Sequence, residues 1–360
     1  MRLFYKILLN LSVLVSFIVI FFAFHEKSDS QDLVNLVNYE KDIKLNNESG
    51  RSHFAYSEPS AIVLKDEFEN YGHNVWCIFC KATPASPLRY KFSVFVLSLV
   101  NRSSVPLTIN LITDDGSRST AQKVFEHVKN VTKKDFQVTF HDIRDLAAKT
   151  SDIINTMRKY FTSQTDSYYS DALFFISLGL HRIAVNQTKA IMIDVDTKLN
   201  TDVKLLFDEF NNFGSEALIG IAPEQSPVYR HVLYVYRAKY RDTNFGKPLS
   251  QNGNPGVNSG VLLLNLARLR ESDMYNRLLS PEQVKKLVDK YSFQGHLGDQ
   301  DWYTLISQEY KQLIHLLDCT WNRQLCQWWS HHGYEDIFNM FYRCEGEVKI
   351  YHGNCNTKIP

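Results

Sequence analysis

A short apolar strand that ends in two aspartates constrains this chain more than any other stretch. Residues 190–193 read Ala-Ile-Met-Ile and run directly into Asp194 and Asp196. A buried strand that stops at acidic residues places their carboxylates at the C-terminal edge of a sheet, where open α/β sheets bind ligands. In an ideal strand both side chains point to one face, where they repel unless a cation lies between them. The stretch predicts a site for Mg²⁺ or Mn²⁺, with a solvated acidic turn as the alternative.

Strands and helices alternate around this stretch, which predicts an α/β fold with a mostly parallel, Rossmann-like central sheet flanked by helices. Ser119 and Gln122 have the spacing of a capping box for the second helix, and Ser280-Pro281 has the pattern of a helix start. The predicted strands cover 74–81, 107–113, 137–140, 190–193, 217–221 and 261–265, and the predicted helices include 88–100, 119–131, 151–161 and 203–210.

The N-terminus predicts a membrane anchor. Residues 7–24 form an apolar run of 18 residues, about the minimum length of a transmembrane helix, and Arg2 and Lys6 precede it. The run ends in Phe21-Phe22-Ala23-Phe24, unlike the small residues at the cleavage site of a signal peptide, which is the alternative. We therefore expect a type II protein with residues 1–6 in the cytosol, an anchor over 7–24, a polar stem over 25–72 and a lumenal folded domain over 73–360.

Sequons and cysteines agree with a lumenal body. Asn47, Asn101, Asn130 and Asn186 each begin an Asn-x-Ser/Thr sequon. Four of the six cysteines lie at or beyond position 319, which in an oxidising lumen predicts disulfides near the C-terminus, although their pairing stays open. The 40 basic and 39 acidic residues give a net charge of +1, so no basic surface for nucleic acid is expected.

A Trp-Cys-x-x-Cys sequence lies in the first predicted strand. Trp76, Cys77 and Cys80 resemble the redox motif of thioredoxin-like proteins, which requires the first cysteine at a helix N-terminus. Here both cysteines fall in an apolar strand. We therefore expect buried or disulfide-bonded cysteines, with redox chemistry as the alternative.

Four motifs in fixed order resemble glycosyltransferase family 8. They are the Asp-x-Asp of residues 194–196, the Asn-Ser-Gly of residues 258–260 before an apolar strand, the Gly-Asp-Gln of residues 298–300, and His352 six positions before Lys358. The resemblance covers about residues 74–360. It implies a GT-A fold, a UDP-sugar donor, a divalent metal and transfer with retention of configuration.

The resemblance also implies a role for each matching position. Asp194, Asp196 and His352 would ligate Mn²⁺, with Mg²⁺ as the alternative, and Lys358 would contact the diphosphate. The remaining positions would lie around the donor: Arg182 and Asn258 as donor-binding residues, and Asp299 and Gln300 as catalytic residues. Cys355 departs from the family pattern, in which glycine is common between the histidine and the lysine.

The C-terminal region is most similar to one branch of that family. The terminal sequence VKIYHGNCNTKIP, the pair Trp328-Trp329 and the segment WNRQLC resemble α-1,3-xylosyltransferases that extend xylosyl-glucose on EGF repeats of Notch-type receptors. This implies UDP-xylose as donor, such EGF repeats as acceptor partner, and residence in the membrane of the endoplasmic reticulum or early Golgi. A homodimer is left open. We expect Trp321, Trp328 and Trp329 to help dock the acceptor, with a role in the core as the alternative.

Three other functions compete with this interpretation. A family 8 transferase could use a UDP-hexose, because the choice between pentose and hexose rests on pocket shape. A catalytically silent lumenal binding protein could retain the same fold. A haloacid-dehalogenase-like phosphatase also begins with Asp-x-Asp, but Lys198 stands where that family has Thr or Val.

Overall fold

The computed structural model describes residues 72–162 and 172–360. The expected anchor, nearly all of the expected stem and the sequon at Asn47 lie outside the described residues. Within the described ranges, no helix is both long enough and apolar enough to cross a membrane.

Thirteen α-helices and ten strands make up the described part of the chain, together with short 3-10 turns. The strands are β1 (Asn74–Phe79), β2 (Thr108–Thr113), β3 (Gln137–Asp142), β4 (Ala190–Ile193), β5 (Thr197–Leu199), β6 (Ile219–Pro223), β7 (Val257–Leu264), β8 (Ile314–Leu316), β9 (Arg323–Gln324) and β10 (Ile350–His352). The helices are α1 (Pro87–Arg102), α2 (Asp115–Thr132), α3 (Ile143–Lys149), α4 (Ser151–Phe161), α5 (Ile176–Ile183), α6 (Val203–Asp208), α7 (Val228–Val232), α8 (Tyr234–Lys239), α9 (Leu266–Glu271), α10 (Asp273–Leu278), α11 (Pro281–Tyr291), α12 (Asp299–Glu309) and α13 (Phe338–Tyr342).

A seven-stranded sheet in the order β3-β2-β1-β4-β7-β6-β8 forms the centre of the fold. All adjacent strands are parallel except that β7 is antiparallel to both β4 and β6. The mostly parallel sheet predicted from the sequence is therefore confirmed, and the reversal of β7 is an addition to it. A smaller sheet in the order β5-β10-β9 lies beyond the main one.

Hydrophobic layers cover both faces of the large sheet, as the pleat of β4 shows. Ala190 and Met192 belong to one buried cluster, whereas Ile191 and Ile193 belong to the other. Side chains alternate between the faces of a strand, so a strand that is apolar at every position must be covered on both faces. The four-residue apolar run at 190–193 thus indicated a central strand.

One of the two helix starts predicted from the sequence is confirmed, and the other is wrong. Ser280 caps α11 by accepting a hydrogen bond from the Gln283 N–H at 3.4 Å, with proline at the first position. The capping box proposed at Ser119 is wrong, because α2 begins four residues earlier. Its cap is Asp114, whose Oδ1 accepts from the Ser117 N–H at 2.8 Å. Aspartate is as good a cap as serine, so the first suitable residue after β2 starts the helix.

Cysteines fall into two chemically different groups. Disulfides join Cys319 to Cys344 and Cys326 to Cys355, so the expectation of disulfides near the C-terminus is confirmed and the structure supplies their pairing. The other two cysteines are buried and free, and they face opposite layers of the sheet. Burial raises the pKa of Cys80 to about 12 and also raises that of Cys77. A reactive thiol needs a lowered pKa, so the redox alternative is not supported.

Candidate active site

The candidate site lies at one edge of the large sheet, where polar ends of three strands meet. Asp194 follows the C-terminal end of β4, and Glu224 follows the C-terminal end of β6. Because β7 runs antiparallel between them, its N-terminal residues lie at that same edge, with Asn258 opposite Ala222. The reversal of one strand therefore brings the Asn-Ser-Gly motif beside the Asp-x-Asp motif.

A tight turn, rather than the pleat of a strand, brings the two aspartates together. β4 ends at Ile193, and the Asp194 N–H donates to the carbonyl of Gly260 at 2.9 Å. The Gly353 N–H donates to the carbonyl of Asp196 at 2.7 Å, which ties the turn to the C-terminal segment. The prediction that both aspartates lie on one face of an ideal strand is therefore wrong, although the turn still brings their carboxylates together.

His352 completes a group that can hold a metal ion. One ligand atom from each of Asp194, Asp196 and His352 lies within 4.8 Å of the other two. Nε2 of His352 lies 3.6 Å from Oδ2 of Asp194 and 3.3 Å from Oδ1 of Asp196. A Cβ at Gly260 would lie 2.3 Å from Cε1 of the imidazole, so only glycine lets β7 pass this close to His352.

Asn322 determines which nitrogen of His352 is available. Nδ1 of His352 lies 2.9 Å from Oδ1 of Asn322, while Nδ2 of Asn322 donates to Oδ1 of Asn258 at 2.9 Å. The Asn322 oxygen is therefore the acceptor, and Nδ1 of His352 carries the proton in the neutral ring. The lone pair of Nε2 then faces the two aspartates, which is the arrangement of a metal-binding histidine.

Electrostatics favour a cation between these groups. Surrounding protein raises the pKa of Asp194 to about 7, as do the negative charges of Asp196 and Asp299, although His352 opposes them. The Asp194 side chain nevertheless stays 57% exposed, so it is open to solvent. Burial alone would lower the pKa of His352, but its hydrogen bond to Asp196 and both aspartate charges raise it. Two carboxylate oxygens and one imidazole nitrogen fit a divalent ion, which would relieve this repulsion.

The N-terminal turn of α12 carries the predicted catalytic pair. Asp299 accepts hydrogen bonds from the hydroxyls of Ser177 and Ser259, the latter at 2.9 Å, and burial raises its pKa to about 6. The Gln300 carbonyl oxygen accepts from the Ser259 N–H at 3.3 Å. Asp301 turns inward, where it accepts from the Tyr229 hydroxyl at 3.0 Å. Gln300 and Asp299 therefore face the strand that carries Asn258, and Asp301 faces the core.

Glu224 is a site residue that the sequence interpretation missed. Its side chain is only 4% exposed and accepts from Nδ2 of Asn258 at 3.0 Å and from Nε2 of Gln300 at 3.3 Å. The signal was present, because Glu224 directly follows a buried strand, as Asp194 does. Pro223 separates Glu224 from the apolar run, so the sequence at this point resembles an ordinary turn rather than the end of a strand.

Arg182 and Lys358 lie less centrally than the resemblance implied. Arg182 is in the last turn of α5 and donates to Asp152 at 2.8 Å. No hydrogen bond or ion pair between described residues joins it to the metal-ligand group. Lys358 is exposed in the C-terminal segment. Lys91 of α1, which the sequence did not indicate, lies 3.7 Å from Asp196 and bridges to Asn356 at 3.0 Å.

The three tryptophans separate into core and surface. Trp321 is 1% exposed and donates to Glu209 at 2.9 Å, so it belongs to the core and the docking role proposed for it is wrong. Trp328 is 51% exposed and stacks on His332 with ring centres 3.6 Å apart. Trp329 packs beside it at 4.8 Å.

The family model described as Glycosyl transferase family 8 matches residues 69–339 of this chain. That span holds every part of the site except His352 and the segment after it. The chain belongs to glycosyltransferase family 8. The phosphatase alternative is therefore wrong, and a family 8 enzyme implies a nucleotide-sugar donor and a glycan acceptor.

Relatives in family 8 agree with this assignment. The chain is 43% identical over 294 residues to the protein named Xyloside xylosyltransferase 1 of Mus musculus, covering 80% of this chain and 75% of that protein. The same identity and coverage hold for the protein of that name in Homo sapiens. The crystal structure of the mouse protein in its apo form matches with a TM-score of 0.76, covering 80% of this chain and 99% of that one. The fold is thus the α/β, GT-A-like fold expected from the sequence.

A more distant relative is matched over only part of its own length. The chain is 26% identical to Xylosyl- and glucuronyltransferase LARGE2 of Rattus norvegicus, covering 71% of this chain and 32% of that protein. A bifunctional glycosyltransferase named WbbM matches with a TM-score of 0.55 at 14% identity, which shows the fold alone.

Proposed function

We propose that this family 8 enzyme is a retaining, metal-dependent xylosyltransferase that transfers xylose from UDP-xylose to a xyloside acceptor through an α-1,3 linkage. The observation that carries the chemistry is that one buried hydrogen-bond network at the sheet edge links Gln300 to His352, whose Nε2 faces Asp194 and Asp196. The choice of xylose is supported by the 43% identity to proteins named for that activity. A hexosyltransferase is the second candidate.

The proposed metal site serves the departing diphosphate. Asp194, Asp196 and His352 would hold Mn²⁺ or Mg²⁺, which supplies a positive charge where the leaving group gains negative charge. Asn322 keeps the His352 nitrogen oriented toward this position. Lys91 adds a fixed positive charge beside Asp196, and Lys358 follows the segment that Lys91 contacts.

The chemistry of Gln300 supports retention of configuration. An inverting enzyme commonly uses a carboxylate to deprotonate the acceptor, whereas an amide is a poor base. The Gln300 carbonyl dipole can stabilise positive charge that develops at the anomeric carbon. The diphosphate is then left to accept the acceptor proton on the face from which it departs. Asp299 already accepts hydrogen bonds from the hydroxyls of Ser177 and Ser259, so we assign it to donor binding and positioning rather than to proton transfer.

We further propose that the acceptor is a xylosylated, O-glucosylated EGF repeat of a Notch-type receptor. The exposed Trp328 and the partly exposed Trp329 beside it support this, because such rings offer both sugar stacking and a contact for a folded protein. The proposal includes a type II orientation in the membrane of the endoplasmic reticulum or early Golgi. The apolar run at 7–24 and the preceding Arg2 and Lys6 support it.

A panel of UDP-sugars tests the function directly. The full-length chain with Mn²⁺ should transfer xylose from UDP-xylose to a xylosyl-glucose acceptor and use UDP-glucose and UDP-galactose poorly. Preference for a UDP-hexose would favour the second candidate. The absence of both transfer and donor hydrolysis would favour a silent binding protein. Proton NMR of the first product should show the small H1–H2 coupling of an α-xyloside, since a large coupling would contradict retention.

Asp196→Asn tests the metal assignment. The change removes one carboxylate charge with little change in shape, so folding should persist while metal-dependent UDP binding weakens greatly. Asp208→Asn on the surface of α6 is the matched control. Full transfer activity of Asp196→Asn, or of the wild type in excess chelator, would refute a role for the metal.

A further inference from the structure

Glu224 is a buried carboxylate to which no catalytic role has yet been given. It follows β6 at the sheet edge, and hydrogen bonds reach both of its oxygens. Oε1 accepts from the Ser226 N–H at 2.9 Å, and Oε2 accepts from Asn258 and Gln300. All three partners donate, so the environment suits an ionised carboxylate, which only accepts. These hydrogen bonds oppose the rise in the Glu224 pKa that burial causes.

The contacts of Glu224 determine how the Gln300 amide is turned. Nε2 of Gln300 donates one proton to Glu224 at 3.3 Å and the other to the Tyr229 hydroxyl at 3.2 Å. The Tyr229 hydroxyl is free to accept because its own proton goes to Asp301. Both protons of the Gln300 amide therefore point to the side where Glu224 and Tyr229 lie. The carbonyl oxygen of Gln300 is left on the other side, where the Ser259 N–H takes one of its two lone pairs.

The same carboxylate is the acceptor at the end of a second series of hydrogen bonds, in which Asn322 also donates to the backbone carbonyl of Asn258 at 3.2 Å. Nδ2 of Asn258 donates to Glu224, and Oδ1 of Asn258 faces away, where it accepts from Asn322 and from the Gly260 N–H at 3.1 Å. Asn322 then presents its own oxygen to Nδ1 of His352. An amide can rotate by half a turn with little change in shape, so only its partners decide its direction. Glu224 is the one acceptor-only group shared by the two series among the described residues.

We propose that Glu224 is a positioning residue for glycosyl transfer: it orients the Gln300 amide and, together with the backbone of β7 and through Asn258 and Asn322, helps to hold the side of His352 that faces the metal position. Glu224 acts through these side chains and needs no contact with the sugar. The inference deepens the proposed function and rests on it.

Glu224→Gln separates this role from simple space filling. A glutamine at this position has nearly the same shape as glutamate but carries one donor end. If its NH₂ points toward Ser226, it meets the N–H of that residue. If it points the other way, it meets the NH₂ groups of Asn258 and Gln300 and forces one of them to turn. Glu224→Asp keeps two acceptor oxygens on a side chain shorter by one methylene.

Steady-state kinetics of the full-length chain with Mn²⁺ and UDP-xylose provide the first test. Glu224→Gln should lower kcat about 100-fold, because a misplaced catalytic group costs a factor of that order, while donor KM changes little. Glu224→Asp should retain more activity than Glu224→Gln, although its shape differs more. Mn²⁺ affinity, measured by electron paramagnetic resonance without donor, should fall in Glu224→Gln. Higher activity for Glu224→Gln than for Glu224→Asp would overturn the proposal.

A double-mutant cycle with Gln300→Ala provides the second test. If Glu224 acts on the chemical step through Gln300, Glu224→Gln should change kcat less than about threefold in the Gln300→Ala background. A loss of equal size in both backgrounds would refute the proposal. Glu309→Gln is the matched control, because Glu309 also accepts from two side chains, Lys290 and Tyr291, away from the site. It should alter melting temperature more than kcat.

The same measurements separate the two levels of inference. If the wild type transfers xylose and Gln300→Ala does so equally well, the role of Gln300 fails and the role of Glu224 fails with it. If Gln300→Ala is impaired and Glu224→Gln is not, only the present inference fails. Should Glu224→Gln not fold, Glu224→Asp in both backgrounds gives the same comparison. Its kcat loss should shrink when Gln300 is absent, and an unchanged loss would overturn the proposal.

Discussion

Nδ1 of His352 and Oδ1 of Asn322 lie 2.9 Å apart, and both side chains are almost fully buried. This contact holds the imidazole in the tautomer that presents Nε2 to Asp194 and Asp196. Side chains that orient a metal-binding histidine in this way typically contribute a factor of 10 to 100 in metal affinity. The contact therefore makes a measurable prediction about metal binding.

Asn322→Leu should weaken Mn²⁺ binding by roughly 10- to 100-fold without removing any ligand atom. Leucine fills a similar volume but cannot accept the Nδ1 proton, so the ring is free to rotate or change tautomer. Titration calorimetry in the presence of UDP measures the change. Asn200→Leu is the control, because the Asn200 side chain donates to the backbone carbonyl of Val348 at 3.1 Å, much as that of Asn322 donates to the backbone carbonyl of Asn258 at 3.2 Å. Equal Mn²⁺ affinity in folded Asn322→Leu and wild type would contradict the prediction.

Trp328→Ala should raise acceptor KM by roughly tenfold, because an exposed aromatic anchor commonly carries much of the energy of a protein contact. Donor KM and melting temperature should change little, since half of the ring is exposed. Kinetics with a folded, xylosylated EGF repeat as acceptor measure this effect. Leu205→Ala, an exposed apolar residue on α6, is the control. Unchanged acceptor KM would place the acceptor elsewhere.

Trp321→Ala should behave differently from Trp328→Ala. Trp321 is buried, and truncation of a buried tryptophan typically destabilises a protein by about 3–5 kcal/mol. We expect a large fall in melting temperature. The acceptor KM of the molecules that remain folded should match that of the wild type.

Asp301 should make stability depend on pH in the direction opposite to a salt-bridged aspartate. Burial raises its pKa from 3.8 to about 7. The folded state therefore binds the Asp301 proton more tightly than the unfolded state does. The contribution of Asp301 to the free energy of unfolding is fully present below about pH 4 and is lost as the pH rises through about 7. The slope is at most roughly 1.4 kcal/mol per pH unit. Asp301→Asn cannot titrate, so its melting temperature should fall less than that of the wild type between pH 5 and 8.

Melting curves in chelator, which removes any metal contribution, measure this difference. Asp208→Asn, on the surface of α6 and paired with Lys204, should follow the wild-type pH dependence. Parallel curves for wild type and Asp301→Asn would show that Asp301 is not protonated in the folded protein at neutral pH.

Sequons in the described part of the chain provide a test of topology. Asn101, Asn130 and Asn186 are all exposed, so each can carry a glycan if the body is lumenal. In microsomes, endoglycosidase should increase the mobility of the full-length chain, and Asn→Gln at each used sequon should remove one step. Asn211→Gln, which alters an exposed asparagine outside any sequon, should have no effect. The absence of any glycosidase shift, with the body open to protease, would place it in the cytosol.

Local sequence signals were sufficient wherever neighbouring residues decide the structure. The apolar run at 190–193, the Ser280-Pro281 helix start and the crowding of cysteines near the C-terminus each predicted the element found there. Local signals were not sufficient where two residues could cap the same helix, since Asp114 rather than Ser119 caps α2. Trp321 and Trp328 could not be separated either, because burial depends on distant parts of the chain.

By itself, the sequence determined the alternating α/β elements, the family and the residue types of the site, because these are recorded in periodicity and in motifs a few residues long. Only the tertiary structure decided that β7 runs antiparallel between β4 and β6, which brings Asn258 beside Glu224 and Gly260 beside Asp194. It likewise decided the side of His352 that faces the aspartates and the partners of the Gln300 amide. Such directions follow from hydrogen bonds between residues far apart in the chain, and no local pattern encodes those bonds.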